Sequence, residues 1–63
     1  MAFTFEDAVR AFEEHGKTAV PYKTVKAKLK EWGASSEESA IALQDALDKK
    51  ILLIDQTGAL FKA

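Results

Sequence analysis

The chain has 63 residues, no Cys and one His, with nine Lys and Arg against ten Asp and Glu for a formal net charge of −1. That length allows one small domain, which buries only about 60% of the surface its unfolded form exposes. Lack of Cys excludes disulfides and thiolate metal sites, a lone His leaves no zinc cluster, and 48% hydrophobic residues must carry the fold.

No apolar run reaches membrane-spanning length and no signal-peptide pattern opens the sequence. These features predict an intracellular protein of cytoplasm, nucleoid or nucleus, with no metal, cofactor or membrane. Near-zero net charge by itself points to no partner, but the distribution of charge does. Over residues 1–16, Arg10 stands against Glu6, Asp7, Glu13 and Glu14. Over 17–34, Lys17, Lys23, Lys26, Lys28 and Lys30 stand against Glu31 alone, a net of +4. Residues 35–63 are acidic again. One basic stripe lies between two acidic segments.

Thr4 with Asp7 reads as an N-cap with an acid in the capping-box position. Phe5, Ala8, Val9 and Phe12 recur at helical spacing, and Gly16 suits a helix end, so a first helix is predicted over 5–15. Phe3, ahead of the cap, is placed to staple against Ala8. His15 falls in the last turn as a surface residue facing the helix dipole.

Residues 18–20 should be extended, because Pro21 restrains its predecessor, and Pro21 is expected as the first residue of a second helix. Tyr22, Val25, Leu29 and Trp32 form that helix's apolar face and Gly33 ends it. After the turn 33–35, Ser35 and Glu38 make a capping box. Ala40, Leu43, Ala46 and Leu47 are expected as the buried face of the third helix, with Lys49 and Lys50 in its last turn. Residues 51–54 and 59–62 read as strands joined by the turn 55–58. A lone hairpin is marginal in water, and 18–20 is the obvious third strand.

The resulting order is helix, strand, helix, helix, strand, strand: mainly α with a small β-hairpin, an α+β class over residues 1–63. With Val25 and Leu29 before a Gly33-Ala34-Ser35 turn, Leu43 and Leu47 after it, and a terminal hairpin, it resembles the winged helix-turn-helix superfamily. The resemblance implies a single winged-helix domain. Many members bind duplex DNA with the helix after the turn in the major groove, and others mediate protein contacts; fold alone does not choose.

For nucleic acid, Lys23, Lys26 and Lys30 share a narrow arc of the second helix, with Lys28 on the other flank and Lys49 and Lys62 as helpers. Ammonium groups so arranged meet successive phosphates and release counterions, although lysines also serve simply as a solvated helix face. The third helix points the other way. Its outward arc carries Glu37, Glu38, Asp45 and Asp48, which phosphates repel, and only Gln44 belongs to the usual base-reading set. Expected binding is therefore phosphate-dominated, weak in sequence specificity and salt-dependent.

The alternative is protein interaction, with Ile41 as an apolar centre ringed by Glu37, Glu38, Asp45 and Asp48, suited to a basic partner. Self-association, the lysine stripe of one copy on the acidic face of another, is one version; the chain is expected to be a monomer or weak homodimer. Phe3, Phe5, Phe12, Tyr22, Trp32 and Phe61 are read as core rather than as base-stacking platforms. No nucleophile stands beside a base, Glu13/Glu14 and Glu37/Glu38 diverge as sequence neighbours on helices, and each Gly closes an element instead of cradling phosphate. No catalytic residue is predicted.

Overall fold

The computed structural model describes residues 3–63. Helix α1 (Phe5–Glu13) starts where Thr4 donates its backbone N–H to Asp7 Oδ2 at 2.9 Å and its hydroxyl to the same oxygen at 3.3 Å. Asp7 thereby pairs a donor that the helix leaves open. Ala8, Ala11 and Phe12 turn inward. The helix stops two residues short of the expected 5–15. His15 N–H donates to the Phe12 carbonyl and Gly16 N–H to that of Glu13, i to i−3 bonds that tighten the last turn.

Strand β1 (Ala19–Pro21) lies one residue later than the expected 18–20. Pro21 is not the first helical residue: it pairs with Ala59 in the sheet and is the N-cap of α2 (Tyr22–Glu31), with φ −56° and ψ 142°. Its fixed φ suits an extended backbone, and an edge strand tolerates the missing N–H. Tyr22 N–H then donates to Gly58 O at 2.9 Å, tying the start of α2 to the hairpin turn.

Val25 and Leu29 are the buried residues of α2, while Trp32 falls at its C-cap, 38% exposed, off the apolar face expected for it. The following turn is a Schellman closure. Gly33 N–H donates to Lys30 O at 3.0 Å and Ala34 N–H to Leu29 O at 3.1 Å, with Gly33 at φ +104°. Buried Ala34 and Leu29 join the same core, the apolar contact that accompanies this motif. A positive φ at residue 33 is what turns the chain sharply from α2 into α3.

Helix α3 (Ser36–Asp48) has the predicted box complete: Ser35 Oγ accepts from Glu38 N–H at 3.0 Å, and Glu38 Oε1 accepts from Ser35 N–H at 2.9 Å. Its buried residues are Ser39, Ala42, Leu43 and Ala46. Ala40 and Leu47, expected inside, are only half-buried. Ser39 takes an interior place because its hydroxyl donates to Ser36 O at 2.9 Å, so no polar group is buried without a partner there. Lys49 and Lys50 lie past the helix end, not in its last turn. Lys50 adopts φ +57°, donating to Leu47 O while Ile51 N–H donates to Ala46 O.

Strands β2 (Leu52–Ile54) and β3 (Ala59–Lys62) complete a three-stranded antiparallel sheet in the order β1-β3-β2. Central Leu60 pairs with Val20 on one side and Ile54 on the other, and Phe61 with Ala19 and Leu53. Because side chains alternate along a strand, Val20, Leu60 and Leu52 point to the core, whereas Ala19, Leu53 and Phe61 form the outer face. Every helix and strand contributes at least one fully or nearly fully buried side chain. The molecule is thus a small α+β domain of three helices and a three-stranded antiparallel sheet. Among the described residues, no helix is long and apolar enough to cross a membrane.

Candidate functional site

Two faces of adjacent helices carry the residues of interest, and they have opposite charge. On α2 the buried stripe is set by Val25 and Leu29. At about 100° per residue, Lys26 and Lys28 flank this stripe on opposite sides, which accounts for both being half-buried; Lys23 and Lys30 project further into solvent. Half-burial at such positions is that of an aliphatic stem along apolar surface with the ammonium in water. Lys23, Lys26 and Lys30 therefore form one ridge, and Lys28 stands apart from it.

Lys49 and Lys62, expected as helpers, are held by acids. Lys49 Nζ lies 2.7 Å from Asp45 Oδ1 and 5.0 Å from the centre of the Phe5 ring, so it is fixed at the junction of α1 and α3. Lys62 pairs with Glu13 across the gap between β3 and the end of α1. These are the two ion pairs among the described residues, and neither involves a lysine of α2. The cations expected to assist the ridge are neutralised, while those on the ridge are not.

On α3 the outward stripe runs Glu37, Ile41, Gln44/Asp45 and Asp48, successive positions on one helical face. Ile41 is 58% exposed. Beside it lies a groove of about 250 Å³ lined by Phe3, Thr4, Ile41, Ala42, Gln44, Asp45 and Asp48. Gln44 Nε2 donates to Asp48 Oδ1 at 3.0 Å, and Asp45 is engaged by Lys49. Glu37 and Glu38 are outside the groove, and Glu38 is occupied with the helix cap. Sequence reasoning places Phe3 as a staple for α1 and in the core, which it packs against, but not in a groove shared with Ile41. No local signal reveals it, because the contact needs α1 and α3 to be packed side by side.

The remaining candidates are dispersed. His15, expected as a surface residue in the last turn of α1, lies past the end of that helix with Nε2 shut off from solvent and without a hydrogen-bond partner. Phe12, Glu13, Lys17, Thr18 and Lys62 line a cleft of about 400 Å³ in which Glu13 and Lys62 satisfy each other. Among the described residues no group of three or more His, Asp or Glu is placed to hold a metal ion.

At the hairpin turn, Asp55 Oδ1 accepts from the Thr57 hydroxyl, from Thr57 N–H at 2.9 Å and from Ala59 N–H at 3.1 Å. Those bonds, the hydroxyl's foremost, hold its carboxyl below the ordinary aspartate value of 3.8. The acid at the tip is thus a structural element of the turn. No protein-family model, curated protein or solved structure matches this chain.

Proposed function

We propose that the chain is a non-catalytic winged helix-turn-helix module that binds duplex nucleic acid through phosphates, along the ridge formed by Lys23, Lys26 and Lys30. The element order, the short closed turn between α2 and α3, and the hairpin packed against the start of α2 support the fold assignment. The observation that carries the binding proposal is the distribution of ion pairs. Lys49 and Lys62 are matched by Asp45 and Glu13, whereas no carboxylate of the described residues pairs with the α2 lysines.

Ammonium groups without local counter-charges are free to neutralise phosphates and release the cations condensed along the duplex, which is the source of affinity in such interfaces. Insertion of α3 into the major groove is opposed by Glu37, Asp45 and Asp48 on its outward face, and only Gln44 there is suited to base edges. The mode of binding is therefore sequence-tolerant, with α2 rather than α3 leading, and dissociation constants fall near the weak end of the ~10⁻⁴–10⁻⁶ M range of non-specific complexes.

The test is titration of the ¹⁵N-labelled chain with a short random-sequence duplex at low salt. Amide shifts clustered on residues 23–30, lost when Lys23, Lys26 and Lys30 are all replaced by Gln, are the expected result. Unchanged spectra over 23–30 remove the proposal.

A further inference from the structure

We infer that the groove beside Ile41 docks a short basic protein segment, one large aliphatic side chain entering between Phe3 and Ile41 while flanking Lys or Arg residues meet the acids of α3. The site shares no residue with the lysine ridge, so it stands or falls independently of nucleic-acid binding.

Three observations define the occupant. First, the lining combines apolar and acidic side chains: Phe3, Ile41 and Ala42 on one hand, Asp45 and Asp48 on the other. Asp45 shares its charge with Lys49, but among the described residues Asp48 is met only by the neutral Gln44 amide, and Glu37 adds a further carboxylate one turn before Ile41. A cation beside an apolar anchor matches this layout.

Second, about 250 Å³ is below the ~300–1,000 Å³ usual for small-molecule sites. It suits one inserted side chain rather than a whole small molecule.

Third, a second copy of the chain is a poor occupant. Its lysine ridge comprises Lys23, Lys26 and Lys30 with no large apolar side chain among them, so nothing on it fills the groove. A stable dimer also covers about 800 Å² per partner, nearly a fifth of this molecule's 4086 Å², far more than the groove provides.

The experiment uses the intact chain and two synthetic peptides, each a run of lysines flanking one central residue, leucine in the first and alanine in the second. Amide shifts on the leucine peptide should centre on Phe3, Ile41, Gln44 and Asp48, with affinity about tenfold above that of the alanine peptide. Ile41→Ser, at an exposed position and checked for an unchanged thermal melt, should erase the difference between the peptides. Asp48→Asn should weaken both peptides equally. Equal binding of the two peptides, shifts confined to α1 acids such as Glu6, or no shifts at all would overturn the inference. So would concentration-dependent broadening of the Ile41 and Lys26 signals in the free protein, which would make a second copy the occupant.

Discussion

Two residues decide how tightly the turns hold, and each gives a measurable consequence. Lys50 closes α3 with φ +57°, a conformation in which Cβ crowds the backbone and which glycine adopts without that cost. The hydrogen bonds of the closure use only backbone atoms, so Lys50→Gly leaves them intact. It should raise stability by about 1 kcal/mol, read as a higher urea midpoint with unchanged slope.

Asp55 supplies a pH dependence. Its folded carboxyl titrates below 3.8 because Thr57 and Ala59 donate to the ionised form. The contribution is therefore present above the unfolded value and is lost as pH falls through the lower folded one. Asp55→Asn should melt at a lower temperature than the parent chain near neutral pH, and the gap should close at the acid end. A constant gap from pH 7 to pH 2 would contradict this origin.

At the scale of elements, the caps and the core share the load in a domain too small to spare either. Chains of this length hold only ~3–5 kcal/mol of net stability. The Ser35–Glu38 box starts α3, and Ser35→Ala should cost about 1 kcal/mol by denaturant titration. Leu43 is fully buried in the same helix; Leu43→Ala should cost ~2–5 kcal/mol, enough to leave much of the chain unfolded at 25 °C by circular dichroism.

Element identity was legible from local patterns: Thr4 and Ser35 as caps, Gly33 as a helix end, alternation across 59–62. Boundaries moved where a neighbour in space intervened. Pro21 joined β1 because β3 lies alongside to pair with it, and Ser39 displaced Ala40 from the interior because its hydroxyl finds a carbonyl within its own helix. Phe61, read as core, sits on the outer face of the sheet with Ala19 and Leu53, since pairing with those residues fixes which way it points.

For the whole molecule, the arrangement of charge matters more than its near-zero sum. Basic α2 and acidic α3 are consecutive helices joined by a sharp turn, so the molecule presents surfaces of opposite sign close together. Phosphate binding by the α2 ridge should therefore be steeply salt-dependent, with a slope of about −3 in log affinity against log salt for three lysines. Replacing Lys26 alone by Gln should reduce that slope by about 1 without shifting the melting temperature. Isothermal titration at several salt concentrations would measure it.

The basic stripe at 23–30 and an outward-facing Ile41 were both readable in the sequence, because one helix determines its own face by periodicity alone. Local signals likewise set the element order and the turns at 33–35 and 55–58, since caps, prolines and glycines act within a few residues. Tertiary structure decided which of those charges are still available. Glu13 and Lys62, 49 positions apart, meet only after β3 docks beside α1, and Lys49 is fixed over Phe5 only when α1 lies against α3. Phe3 and Ile41 become the walls of one groove for the same reason: contacts between distant parts of a chain depend on the completed packing, which no short stretch of sequence encodes.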